Sequence, residues 1–194
     1  MKTITRLGLP VLMLLALNQG CTLKPQYLHL DPVIDVTGEA VTSDTLIGLS
    51  VRDARPTKKL GEVGDPNKEM MDVTLNEDFT ALLSARLTEA LEKRGFSVVP
   101  ESGAMTRSLA VRIDSLVLNS VKRPLDFETE LKAEVSAEAH NTNEKYDRAY
   151  YVSTYKITAS PPFEKHSNLM VNDAVSKALT DMLNDDKLFE MLAR

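Results

Sequence analysis

Phe127-Glu-Thr-Glu-Leu-Lys-Ala-Glu-Val-Ser-Ala-Glu-Ala-His140 decides the fold. Phe127, Leu131, Ala133, Val135, Ala137 and Ala139, together with Thr129, share one parity. Glu128, Glu130, Lys132, Glu134, Ser136, Glu138 and His140 share the other. Side chains alternate across a strand, so this pattern predicts a long β-strand with one face in a core and one facing water. A strand wetted on one face belongs to an antiparallel sheet with helices packed on the other side.

The neighbouring segments extend that reading. Upstream, Leu109, Val111 and Ile113 alternate with Ala110, Arg112 and Asp114, and the apolar parity then shifts to Leu116 and Leu118. A one-residue slip flips side chains across a sheet, which predicts a bulge near Asp114–Ser115. Downstream, Asn141 to Lys145 is a hairpin loop and Arg148 to Ala159 a returning strand. Tyr150 and Tyr151 fall on opposite faces of it, and Tyr155 shares the parity of Tyr151. Tyrosine is a good strand residue, but it is also enriched at interfaces. Tyr150, Tyr151 and Tyr155 are therefore candidate partner-surface residues.

Two helices should supply the cover. Asn76 to Arg94 carries Phe79, Leu82, Leu83, Leu87, Ala90 and Leu91 at helical spacing. Asn76 is a candidate N-cap, and Gly95 is a stop signal. After Pro161-Pro162, Ser167 or Asn168 should cap a second helix bearing Leu169, Ala174, Val175, Ala178, Leu179, Met182 and Leu183. Asn184-Asp185-Asp186 interrupts it before a last amphipathic turn or two. Leu46–Val51 and Phe96–Val99 read as short strands.

Residues 52–66 read as a loop, rich in Gly, Pro and charge. Arg52, Arg55, Lys58 and Lys59 form the densest basic cluster of the chain. They are candidates for a partner surface; the plainer reading is a solvated loop with a local Asp53–Arg55 interaction. Gly61 and Gly64 lack the strand–turn–helix context of a phosphate-binding fingerprint.

The N-terminus carries an address. Lys2 and Arg6 precede an apolar run from Leu7 to Leu17, interrupted by Gly8 and Pro10. Spanning a bilayer takes roughly 20 apolar residues, so this run has the length of a secretory signal. Gly20 directly precedes Cys21, the single cysteine of the chain. This resembles a bacterial lipobox, in which cleavage between Gly20 and Cys21 leaves the Cys to carry a diacylglycerol and an amine-linked acyl chain such as palmitate. Asn18 and Gln19 occupy positions where lipoboxes prefer an aliphatic and a small residue. Several acyl chains anchor firmly where one anchors weakly. Thr22 and Leu23 after the cysteine, with no Asp, favour the outer membrane. The organisation expected is residues 1–20 signal peptide; 21–45 lipidated N-terminus, tether and edge strand; and 46–194 a single α+β domain.

The 194 residues have a formal charge of −5, which becomes −7 once Lys2 and Arg6 leave with the signal. An acidic domain argues against nucleic acid as a partner. His29, His140 and His166 lie far apart, in no metal-ligand spacing. No G-x-S-x-G elbow is present. The glutamates on 128–138 share one strand face, whereas paired catalytic carboxylates sit across a cleft on different elements. No catalytic, metal or cofactor site is expected, and no enzyme activity.

The pattern resembles the YajG-type family of bacterial lipoproteins. The resemblance rests on the signal with Cys21, Leu91-Glu-Lys-Arg-Gly95-Phe96, Arg148-Ala149…Tyr151…Ala159-Ser160, and Ala178-Leu-Thr-Asp-Met-Leu-Asn-Asp185. It implies an outer-membrane, periplasm-facing lipoprotein without an assigned reaction. The function expected is binding of a protein or envelope component. The alternative is an accessory subunit of an envelope lipid or lipopolysaccharide transport system, which an apolar groove between sheet and helices would favour.

Overall fold

In the computed structural model, residues 24–38, 40–41, 45–75, 79–103 and 105–194 are described. Gly20 and Cys21, like Asn76 with Glu77 and Asp78, lie outside them. In chain order the elements are β1 (Gln26–Leu28), β2 (Thr45–Asp53), β3 (Lys59–Asp65), β4 (Glu69–Leu75), α1 (Thr80–Lys93), β5 (Phe96–Pro100), β6 (Ser108–Lys122), β7 (Phe127–His140), β8 (Lys145–Thr158), α2 (Glu164–Leu183) and α3 (Asp186–Ala193).

The period-two stretch is β7, paired antiparallel along its length with β6 on one side and β8 on the other. Its apolar parity is buried from Phe127 to Ala139. The bulge falls where the parity shifts. Register steps from Ile113↔Val135 to Ser115↔Glu134, leaving Asp114 over. The Asp114 carboxylate accepts a hydrogen bond from Ser136 Oγ, so the spare residue is tied down. Leu109, Val111, Ile113, Leu116 and Leu118 all stay in the core as a result.

The sheet is mixed, which corrects the expectation of a purely antiparallel one. The far edge of β6 is shared: β2 runs parallel to its first half and β3 parallel to Leu118 and Asn119. β5 adds parallel to β2, β4 antiparallel to β3, and β1 parallel to β4. Alternation reports which face of a strand is buried. It does not report the direction of the neighbours, and parallel neighbours need a crossover. Between β2 and β5 that crossover contains the β3–β4 hairpin and α1. The hairpin corrects the reading of 52–66 as loop. Its apolar share is small (Leu60, Val63, Val73 and Leu75 buried), so its sequence looks like a linker.

Among the described residues three helices lie on the sheet rather than two. α1 covers β2 and β5; α2 covers β7 and β8; α3 packs against β7. Leu83, Leu87, Ala90 and Leu91 of α1 are buried, but Leu82 faces out. α2 starts at Glu164, three residues before the expected cap, so Ser167 is buried inside the helix instead of capping it. Leu169 is exposed, and Met170, Val171, Ala174, Val175, Ala178, Leu179, Met182 and Leu183 form the apolar stripe. Ala174 and Ala178 of α2 are fully buried, as are Ala137 and Ala139 of β7, on which α2 packs. Each larger residue sealed between the layers, such as Leu131 or Leu179, contributes about 1.5–3 kcal/mol. Asp185 caps α3 by accepting the Lys187 N–H at 3.0 Å.

The segment expected as a tether is a structural strap. From His29 to Thr37 the chain runs extended along α2 and is held by a ladder of its side chains. His29, Asp31, Val33, Asp35 and Thr37 donate their N–H groups to Asn168, Asn172, Ser176, Thr180 and Asn184, at 2.6 to 3.1 Å. Two extended residues advance about 6.6 Å and four helical residues about 6.0 Å, so the two repeats keep step. The even side chains Leu28, Leu30 and Pro32 are buried, and Ile34 and Val36 half-buried. Pro32 falls between the donating positions, where its missing N–H costs no rung.

Candidate functional site

The outer face of β6–β8 is built by register. Across it lie the rows Ser115–Glu134–Tyr151, Val117–Lys132–Ser153, Asn119–Glu130–Tyr155 and Val121–Glu128–Ile157. Tyr151 is 72% exposed, Tyr155 65% and Ile157 61%, and Val117 and Val121 are about half exposed. Among the described residues no helix covers this face, because α2 lies on the opposite one. A shallow groove of about 410 Å³ runs along it, lined by Ser115, Val117, Lys132, Glu134, Tyr151 and Ser153.

Its polar groups are ordered against one another. Glu130 Oε1 accepts from Tyr155 Oη at 2.7 Å and Ser153 Oγ at 2.9 Å, and Glu130 Oε2 lies 3.2 Å from Lys132 Nζ. These donors, Tyr155 first, hold the Glu130 carboxyl below the ordinary glutamate range. The hydrogen bond with Glu134 pushes the Tyr151 phenol up. Glu128 pairs with Arg123. The face therefore presents aromatic and aliphatic surface whose carboxylates are already partnered.

Tyr150 departs from the sequence expectation. It is buried and turned inward, so it leaves the candidate surface that Tyr151 and Tyr155 form. Its hydroxyl donates to Asp185 Oδ2 at 2.8 Å, as does that of Tyr146, and Arg148 joins them. Burial raises the Tyr150 phenol far above its ordinary range, with the Asp185 carboxylate adding to the effect. Burial acts on Asp185 in the opposite sense to its donors. The hydrogen bonds from Tyr150, Tyr146, Lys187 N–H and Arg148 outweigh it and lower the carboxyl. The cleft beside this cluster, about 680 Å³, is lined by Arg148, Tyr150, Tyr151, Asp181, Asp185 and Lys187. Asp185 spends its acceptors joining β8 to the α2–α3 junction. In the sequence it reads only as part of a helix interruption, one of two adjacent Asp residues, and the tyrosines that reach it come from a distant strand.

The basic cluster does not form one surface. Arg55 is almost wholly buried at its side chain, doubly bonded to Asp53 at 2.8 Å and placed 5.2 Å over the Phe79 ring. Lys59 is engaged with Glu62 at 2.6 Å and Asp72 at 2.8 Å. Arg52 and Lys58 are exposed. Arg55 and Lys59 are thus engaged within the domain, and among the described residues Arg52 and Lys58 are the two of the four that stand free of its ion pairs at the surface.

His140 Nδ1 lies 2.7 Å from Ser108 Oγ, a pair at one end of the β6–β7 ladder. Among the described residues no group of three His, Cys, Asp or Glu could hold a metal ion. Among them, too, no helix is long and apolar enough to cross a membrane.

Among solved structures the chain is similar to protein XCC0632 from Xanthomonas campestris, of the DUF330 family. The identity is 16%, the TM-score 0.45, and the match covers 85% of this chain and 95% of that one. An uncharacterized protein gives 10% identity, TM-score 0.47, and coverage of 81% and 97%. Lipoprotein GNA1162 from Neisseria meningitidis gives 11%, TM-score 0.33, and coverage of 71% and 97%. At these values the likeness carries no argument about role. No curated protein matches this chain. A family model does, one described as "Uncharacterized lipoprotein" (Lipoprotein_16), over residues 32–193, from the strap to α3. With the match spanning strap, sheet and helices alike, the chain belongs to this uncharacterized lipoprotein family.

Proposed function

We propose that this lipoprotein is of the YajG type, anchored by acyl chains on Cys21 in the outer membrane and facing the periplasm. In this reading it catalyses no reaction and binds an envelope protein through the outer face of β6–β8. One observation carries the binding reading. Val117, Val121, Tyr151, Tyr155 and Ile157 stand exposed together on one sheet face. Aromatic residues are enriched where interfaces form, and contiguous exposed apolar surface marks such sites. Among the described residues β8 pairs only with β7, which leaves one edge of it to a partner strand.

The transport alternative is less well supported. It asks for an apolar groove between sheet and helices, and that space is filled by side chains such as Leu131, Val135, Val175 and Leu179, all fully buried.

The test is photo-crosslinking in intact cells from probes at Tyr151 and Tyr155, with a probe at exposed Lys177 on α2 as control. A discrete adduct with one envelope protein from the two sheet positions, lost in Tyr155→Glu, is the expected result. Equal adducts from all three positions, or none from the sheet, would overturn the reading. Incorporation of labelled palmitate, absent in Cys21→Ala, tests the anchor separately.

A further inference from the structure

The strap fixes where the chain enters the domain. β6 ends at Lys122 and β7 begins at Phe127, so residues 123–126 form a turn at one pole of the sheet. β8 ends at that pole, and α2 starts there, since Thr158 pairs with Phe127. Asp65 bonds to Lys122, which brings the β3–β4 turn to the same pole. Gln26 donates from Nε2 to the Pro162 carbonyl at 2.7 Å, just before α2. β1 and the strap then run away from the pole alongside α2. Lys24 and Pro25 therefore lie at the pole.

The reach of that upstream chain is short. Five residue steps separate Cys21 from Gln26, and a fully extended chain covers at most about 3.6 Å per residue, or about 18 Å here. Gln26 is buried and locked in β1, so the domain cannot drift further from an anchor at Cys21. The same pole carries two apolar tips. Leu125, at the β6–β7 turn, is 91% exposed, and Phe163, at the start of α2, is 53% exposed. Lys24, Lys68, Arg123 and Lys165 stand around them, with Glu69, Asp126 and Glu164 also present and Arg123 paired with Glu128.

We propose that this pole lies flat against the lipid surface, with Leu125 and Phe163 seated among the headgroups. The inference rests on the anchor at Cys21. A tether of this length holds the pole at the interface. Exposed apolar side chains gain by burial at the headgroup boundary, and the lysines beside them there meet lipid phosphates. The outer face of β6–β8 then stands upright on the membrane, open to a partner from the side.

The chain has no tryptophan, so one introduced residue is a clean reporter. Full chain with Leu125→Trp, or with Thr142→Trp at the opposite hairpin, is placed in phosphatidylethanolamine–phosphatidylglycerol vesicles whose acyl chains are brominated. The Leu125→Trp emission should shift to the blue and lose most of its intensity, while the Thr142→Trp emission should stay unchanged. No quenching at 125, or equal quenching at both positions, overturns the proposal. The intact mass of the same sample reads acylation of Cys21, so loss of the anchor reading is seen separately. Should Cys21 prove unmodified, its thiol, the chain's single one, is coupled to a maleimide lipid and the same quenching is read.

Discussion

Asn172 holds Asp31 as a neighbouring strand would: its side-chain Oδ1 accepts the Asp31 N–H at 2.6 Å, and its Nδ2 donates to the His29 carbonyl at 2.9 Å. The carboxamide thus does for an extended chain what a peptide group does in a sheet. Asn184 repeats the arrangement, accepting from Thr37 N–H at 2.8 Å and donating to Asp35 O at 2.9 Å. The helix offers the strap an edge made of side chains.

Asn172→Ala removes both bonds to the strap at one rung, and with them the bond from Nδ2 to the Asn168 carbonyl within α2. The freed backbone groups lie at the surface and can meet water, so the loss from the strap should be the net value of its two hydrogen bonds, about 1–2 kcal/mol. Urea unfolding would read it, and the Asp31 amide should exchange with solvent faster. An unchanged midpoint would show the strap to be held by its apolar side chains alone.

Asp185→Asn should weaken the junction of β8 with α2 and α3. A neutral amide is a poorer acceptor for two tyrosines and an arginine, and the expected cost at neutral pH is about 1–3 kcal/mol. The wild-type carboxyl sits below its ordinary 3.8. Its contribution is therefore present above that value and is lost as pH falls from 3.8 through the folded pKa. The gap between wild type and variant should close over that acid limb. A gap constant down to strong acid would remove Asp185 as its source.

At alkaline pH the same cluster acts through Tyr150. Its phenol is raised above 10.0, by burial first and by Asp185 second. The stability it contributes is complete below pH 10 and declines as pH rises beyond it, because the unfolded chain ionises first. Tyr150→Phe should flatten that decline in a pH series of denaturation midpoints.

Arg94→Lys tests the knot at the other end of the strap. The guanidinium lies 3.8 Å from the Phe189 ring centre and donates to the carbonyls of Thr37 and Leu183. Burial lowers its pKa. An ammonium cannot lie flat on the ring and reach both carbonyls. A loss of about 1–2 kcal/mol is expected, read as a lower denaturation midpoint. Equal stability of the lysine variant would rule out the stacked fork as the source.

Gly61→Ala tests the branch of the sheet. A Cβ there would stand 1.9 Å from the Leu118 carbonyl oxygen, backbone of a central strand that cannot move aside. Separating β3 from β6 should cost about 3 kcal/mol or more, visible as a lower melting temperature. A wild-type melting point would mean that the two strands are held apart from contact at Gly61 in solution.

By itself the sequence determined the parts set by local periodicity. The fourteen residues of β7 alternate, with Thr129 in the apolar row and Ser136 buried from the other, the bulge at Asp114 follows from a parity shift, and Leu83, Leu87 and Leu91 mark a helix by their spacing. These signals lie within one element, and burial of one face writes them directly. Tertiary structure decided the rest. The β3–β4 hairpin buries too little apolar surface to be legible. The strap is extended chain whose hydrogen-bond partners sit more than a hundred residues away, on a stripe from Asn168 to Asn184. Tyr150 and Tyr151 are adjacent and look alike as letters. One is buried against Asp185 and the other is open to water, because α2 covers only one face of β8.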